Sequence, residues 1–298
     1  MYGIDHPFLM NMIGCSQDYT HLYFVLPLFE GGDLYDLIHP KDAKDPKTHG
    51  IPVESAIFYS ACIIDALDYL QERSIAHRDI KPENVLIGRD GYCTIVDFGF
   101  AKIATEKTFT VCGTYEYMSP EIIIAKGHDA HVDIWAFAVM LFEMLVGKTP
   151  FYHKIRMKTF KRILKPFYKP DLVEQDDHAK DLIKRILVEK PLDRIGYQAE
   201  GLMAIKNHPF FSSIDWDKLH RKEQTPPFVP QADIQEHDLS AKLQEELDPS
   251  EIKAASLVDC ALFREFSEHE FSESFRSMEF TDRCSDSEES YPDDLEIL

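Results

Sequence analysis

Apolar residues dominate two short runs, 8–14 and 21–26, with a polar stretch at 15–20 between them. The pattern predicts two strands joined by a turn. Pro27-Leu28-Phe29-Glu30-Gly31-Gly32-Asp33 then forms a glycine-softened crossing into a helix-prone segment at 34–38. From 52 to 73, Ile57, Ala61, Ile64 and Leu67 recur at helical spacing, with a proline at the start. Two β-prone runs, 85–87 and 92–96, flank Gly88-Arg89-Asp90-Gly91, which predicts a tight hairpin. The stretch 100–110 reads as a polar, β-branched loop. Residues 131–146 are apolar on nearly every face, as befits a helix at the centre of a domain. Helices at 154–164, 178–188 and 201–207, closed by His208-Pro209-Phe210-Phe211, complete an α-rich lobe. The expected class is α+β, with few strands and many helices.

Composition narrows this. At 298 residues, 44% hydrophobic and 28% charged, the chain suits one large globular domain or two small ones. The net charge of −20 is uneven. From Ser212 onward 8 Lys and Arg face 23 Asp and Glu, leaving 24 against 29 before it. So acidic a chain argues against a nucleic-acid partner, and its last stretch, 284–298, reads as an acidic disordered end. The six cysteines include no CxxC pair and suit a reducing compartment. No basic segment followed by a long apolar run opens the sequence. The longest apolar stretch, 134–146, contains Glu143 and is too short to cross a bilayer, so a cytoplasmic location and no membrane span are expected.

The chemistry gathers in residues 77–99, HRDIKPENVLIGRDGYCTIVDFG. A hairpin returns the chain to where it started, which places Asn84 and Asp97 side by side at its open end. Asp79 and Lys81 lie a few residues further out on the same side. Asn84 and Asp97 are suited to hold Mg²⁺ through hard oxygens. Lys81 is suited to neutralise a transferring phosphoryl group, and Asp79 to accept a hydroxyl proton. An isolated HRD or DFG tripeptide recurs by chance. Both in order, joined by KPEN and a hairpin, do not.

HRDIKPEN followed by DFG resembles the catalytic and metal-binding loops of eukaryotic protein kinases. The resemblance implies Asp79 as catalytic base, Lys81 as phosphate contact, Asn84 and Asp97 as Mg²⁺ ligands, and Ser/Thr specificity from Lys81 within KPEN. It implies an ATP site whose contacts include Leu26 and Phe29 at the hinge, Lys81, Glu83, Asn84, Asp97, and Leu86 as the adenine floor. CGTYEYMSPE resembles the activation segment and substrate-docking loop, with Ser119 and Tyr115 where the family usually has alanine and proline. Thr110 stands at the activating phosphothreonine position, with Arg78 as its expected partner, and an upstream kinase is thereby implied. Glu121 is expected to pair with Arg194, and Asp133 to hold the catalytic-loop backbone. Asp33, Glu83 and Glu143 match positions that read basic residues near the target, Thr114 is a further substrate contact, and Glu143 is expected to stand unpaired facing a cleft.

Residues 226–230 and LFREFSEHEFSESF, with Phe263, Phe266, Phe271 and Phe275, resemble the tail of the AGC group, which includes the cyclic-nucleotide-dependent kinases. The implied layout is a kinase domain over 1–211, made of a small-lobe remnant (1–26) and a large lobe (27–211), followed by an acidic AGC tail (212–298). The implied fold is protein-kinase-like with a truncated small lobe. No G-x-G-x-x-G occurs in the 298 residues, and no strand lysine for the α- and β-phosphates is identified. Two readings stay open: a fragment of an active kinase, with little activity on its own, or a non-catalytic kinase-like binding module (a pseudokinase or scaffold).

Overall fold

Helix α4 (Val132–Val146) is the axis on which the rest is hung. In the computed structural model its residues 132–145 are all buried, Trp135 and Phe137 completely so. So apolar a helix is stable only with neighbours on every side. Those neighbours include α2 (Val53–Glu72) and α6 (Asp177–Ile186). One core runs through all three, from Ile4 to Leu219. The structure describes residues 4–17, 21–41, 50–197 and 200–230. The expected docking aromatics Phe263, Phe266, Phe271 and Phe275 lie outside them. The chain divides into two units, Met1–Cys15 with Tyr23–Gln235, and Ser16–Leu22 with Glu236–Leu298. The core belongs to the first unit.

The predicted pair of strands is shifted. The strands are β1 (Gly14–Gln17) and β2 (Leu22–Val25), which form a two-stranded sheet. Residues 8–10 are not part of it. Phe8 accepts from the amide of Ile95, and Met10 donates to the Ile95 carbonyl, both at 2.9 Å. Phe8, Leu9 and Met10 are all buried, so this stretch lacks the two-sided alternation of a strand with one wet face. It is used instead to roof the hairpin.

Helix α1 (Leu34–Ile38) starts where expected because Asp33 caps it, accepting from Asp36 N at 2.7 Å. Just before it, Gly31 N donates to Ile87 O and Ile87 N to Gly32 O, at 3.0 and 2.9 Å. The crossing segment is thereby laid along the hairpin. The strands β3 (Ile75–Ala76), β4 (Val85–Ile87), β5 (Cys93–Ile95) and β6 (Lys102–Ile103) follow α2. β4 pairs antiparallel with β5 in the register Val85 to Ile95, Leu86 to Thr94 and Ile87 to Cys93. β3 pairs with β6, a strand inside the stretch expected to be loop. With only two residues, both exposed, β6 leaves no mark on the hydrophobic pattern.

The lobe is completed by α3 (Pro120–Ile123), α5 (Arg156–Leu164), α7 (Met203–Lys206) and α8 (Trp216–His220), with α6 between. Packing continues past Phe211. Leu219 is fully buried, and His220 Nδ1 meets Asp65 of α2 at 2.7 Å. Gly91, at the hairpin tip, has φ +78° and faces the Phe228 carbonyl so closely that a Cβ would lie 2.4 Å from it. Among the described residues, no helix is long and apolar enough to cross a membrane.

Candidate active site

The loop between β3 and β4 is held from below. Asp133, in the first turn of α4, accepts from the backbone amides of His77 and Arg78 at 2.7 and 2.8 Å. Burial pushes its carboxyl up to about 7, although the two amides and the Arg78 and His131 charges pull the other way. The support matters because Arg78 and Asp97 both sit at positive φ, +68° and +58°. That region is disfavoured for non-glycine residues and is occupied where surrounding structure enforces it. His77 beside them is fully buried, and desolvation, helped by Lys81, lowers its imidazole to about 4. The neutral ring donates from Nε2 to Val96 O at 3.0 Å, which ties the loop to the end of β5.

Asp79 is buried, and four donors fill both its oxygens. Oδ1 accepts from the amide and the hydroxyl of Thr114, each at 2.9 Å. Oδ2 accepts from Asn84 Nδ2 at 3.1 Å and meets Lys81 Nζ at 2.8 Å. Burial works to raise this carboxyl, but the hydrogen bonds from Lys81 and Thr114 and the lysine charge outweigh it and hold it below the ordinary range. Lys81 also donates to Thr114 Oγ1 at 2.9 Å. The approach of the segment carrying Thr114 depends on Gly113, at φ +96°, where a Cβ would stand 2.4 Å from the Arg78 carbonyl.

The hairpin brings Asn84 and Asp97 to the same end. Val96 N donates to Asn84 O at 2.9 Å, and Asp97 is the next residue. Asn84 commits Nδ2 to the backbone and side chain of Asp79, so its Oδ1 is the atom left to offer. Exposed Asp97 spends Oδ1 on the Gly99 amide at 3.0 Å and keeps Oδ2. One amide oxygen and one carboxylate oxygen form a hard donor pair of the kind Mg²⁺ takes with phosphate completing its shell. The residues present fit the ion. The other described cluster with ligand spacing is His6, Asp65 and His220. There Phe8 N donates to His6 Nδ1 at 3.2 Å, and Lys206 Nζ lies 3.0 Å from Asp65. That tautomer puts the proton on Nε2, facing Asp65, so the cluster reads as a structural tie.

The Protein kinase domain profile matches residues 1–211. This chain is a protein kinase family member. Within that family it is an AGC-group kinase chain, and its curated relatives include cyclic-nucleotide-dependent kinases. It is 37% identical over 233 residues to the cAMP-dependent protein kinase type 3 of Saccharomyces cerevisiae, covering 76% of this chain and 55% of the relative. It is 38% identical over 228 residues to the human cAMP-dependent protein kinase catalytic subunit PRKX, covering 76% and 61%. A cGMP-dependent protein kinase of Eimeria tenella is 39% identical over 238 residues, covering 78% of this chain and 23% of that one. The kinase chain thus spans under two thirds of the length of these relatives.

Other expected site residues of the kinase chain divide. Leu86 is half-buried and bridges to Asp33 across the crossing segment, while Leu26 is 41% exposed and Phe29 half-buried. Glu83 is exposed; desolvation on one side raises its carboxyl, and the charges of Glu143 and Asp33 add to this against its own backbone amide and Lys81. The three acids therefore share one field. Glu143 is not the unpaired carboxylate expected at a cleft. It is 4% exposed, its Oε1 meets His39 Nε2 at 2.9 Å, and its Oε2 accepts from the Tyr117 hydroxyl. Burying a carboxylate is costly, and these two partners offset that cost. His39 lies 104 residues away in sequence and carries no motif, so only the fold reveals it. Glu121 and Arg194 pair as expected, Nη1 to Oε1 at 2.7 Å and Nη2 to Oε2 at 2.8 Å.

Thr110 is exposed. Arg78 Nε donates to Phe100 O at 2.6 Å, and its Nη1 is buried without a partner among the described residues. A guanidinium nitrogen in that state suits an anion.

Proposed function

We propose that the chain transfers the γ-phosphoryl group of ATP to serine and threonine hydroxyls of proteins. The observation that supports it most is the convergence of Lys81, Asn84 and Thr114 on the buried carboxylate of Asp79. Asp79, kept ionised, takes the proton of the incoming hydroxyl as its oxygen bonds to phosphorus and ADP leaves. Lys81 is placed to shift between Asp79 and the phosphoryl oxygens, and Thr114 fixes the rotamer of the base. Asn84 and Asp97 would hold Mg²⁺, which supplies charge neutralisation on the phosphates. Nucleotide contacts are assigned to Leu26, Phe29, Glu83 and Leu86, and a preference for basic residues near the target to Asp33, Glu83 and Glu143. For Glu143 this requires a substrate cation to displace His39. The layout proposed is a small-lobe segment over 1–26, a large lobe over 27–211 and a tail over 212–298, in the cytoplasm, with Thr110 phosphorylated by another kinase.

A second reading, a non-catalytic kinase-like binding module, draws on one observation: the 298 residues contain no G-x-G-x-x-G. Incubation of the purified chain with Mg²⁺, γ-labelled ATP and arginine-containing Ser/Thr peptides separates the two. The expected result is slow, Mg²⁺-dependent transfer that Asp79→Asn abolishes while circular dichroism stays unchanged. Equal transfer by Asp79→Asn removes that residue from its role, and no transfer from the unaltered chain favours the module.

A further inference from the structure

None of the residues assigned to catalysis lines the cavity between α3, the end of α5 and the turn at 189–192, which encloses about 660 Å³. Four lysines border it, Lys107, Lys126, Lys165 and Lys190, and all four are exposed. The ion-paired lysines of the described residues are Lys41, Lys81, Lys180, Lys206, Lys218 and Lys222. None of the four bordering the cavity is among them. Of the carboxylates in the same wall, Glu121 is taken up by Arg194, and Asp129 is engaged by His131 at 2.8 Å. Glu189 alone remains to balance four cations.

The floor is not uniformly polar. Ile124 is 44% exposed and Leu192 67%, and Pro120, Leu164 and Pro191 join them in the lining. Cationic borders around an aliphatic floor match a ligand that alternates carboxylates with aliphatic side chains. A small inorganic anion would leave Ile124 and Leu192 in water. His128 adds a second, independent observation. It lines the cavity at 3% exposure, and neither ring nitrogen has a partner among the described residues. A buried imidazole with both nitrogens unmatched is rare in a finished structure and marks a place where something is still to be bound. Its backbone pairs with Thr108 in both directions, at 2.8 and 2.9 Å. A ligand at this wall therefore touches the residue that anchors the segment carrying Thr110.

We propose that this cavity docks an acidic peptide segment of a partner protein, with its carboxylates on Lys107, Lys126, Lys165 and Lys190 and an aliphatic side chain over Ile124 and Leu192. Charge complementarity argues for the occupant, and the apolar floor argues for peptide over polyanion. The site is independent of phosphoryl transfer, so its test does not depend on activity.

The test is fluorescence anisotropy of a labelled twelve-residue peptide alternating Glu and Leu, titrated with the full chain at low and at 0.3 M salt. Saturable binding that weakens with salt is expected. Lys126→Glu with Lys190→Glu should weaken it at least tenfold, and Leu192→Asp should do so without removing a lysine. Lys158→Glu, on the exposed surface of α5, should leave it unchanged. A peptide with Ser in place of Leu should bind at least tenfold more weakly. Equal binding by the Ser peptide, equal loss in Lys158→Glu, or full competition by heparin would each show a diffuse polyanion surface and overturn the proposal. Binding of the chain to phosphatidylserine vesicles but not to the peptide would overturn it in favour of a membrane. The altered residues are exposed, and unchanged melting curves confirm that the variants fold.

Discussion

Thr114 is joined to Asp79 twice, its amide and its hydroxyl both donating to Oδ1 at 2.9 Å. A residue expected to contact substrate is thus fastened first to the carboxylate proposed as the base. Hydrogen bonds to a charged group contribute about 1.5–3 kcal/mol. Thr114→Val removes the hydroxyl donor and frees Lys81 from its second partner. Transfer should fall roughly 10-fold, about 1.4 kcal/mol, while Thr114→Ser stays close to the unaltered rate. Initial rates for the two variants, measured side by side, check this. Equal rates would leave the hydroxyl without a part in positioning Asp79.

Arg194 is 2% exposed, and its guanidinium lies 4.7 Å from the centre of the Trp135 ring while forking onto Glu121. Breaking one side of such a pair strands a buried charge. Arg194→Ala should therefore destabilise the fold by about 3–5 kcal/mol. The double variant Glu121→Leu, Arg194→Met should cost much less, because no charge is left behind. Urea unfolding of both variants checks the difference.

Asp133 has a defined pH consequence. Its folded-state carboxyl is raised to about 7, so its contribution to stability is fully present below the unfolded value of about 3.9 and is lost as pH rises through the folded one. Stability should thus show a descending component between about pH 4 and 7. Asp133→Asn should remove that component and should destabilise the fold by about 1–3 kcal/mol, since an amide cannot accept from both backbone donors equally well. Denaturant midpoints taken across this range for both proteins are the measurement.

We propose that phosphate on Thr110, roughly two negative charges, is taken by the unmatched Nη1 of Arg78. Stoichiometric phosphorylation should slow hydrogen exchange across residues 102–112 in the unaltered chain and not in Arg78→Ala. Equal protection in the variant would assign the phosphate to another cation, such as Lys102, which already donates to Thr108 Oγ1 at 3.3 Å.

Legibility in the sequence follows the range of the interaction. The hairpin at 85–95, the helices α2 and α4, and the gathering of Asp79, Lys81 and Asn84 rest on local pattern and short loops, and the structure has each of them, with Asp97 at the same end of the hairpin. The failures are long-range. Residues 8–10 resemble a strand because they are apolar, but their partner is Ile95, more than eighty residues on. Glu143 reads as unpaired because nothing near it in sequence announces His39 or Tyr117. Strand β6 escapes notice because two exposed residues carry no periodicity.

The segment after Phe211 has a practical consequence. The family profile stops at that residue, yet Tyr92 donates its hydroxyl to the Gln224 carbonyl, and Lys222 reaches Asp90 at 2.9 Å. An expression boundary drawn at the profile's edge would strip the lid from the hairpin tip and leave Asp65 without His220. For this chain, the smallest unit worth purifying reaches at least to residue 230, some twenty positions past the profile's edge.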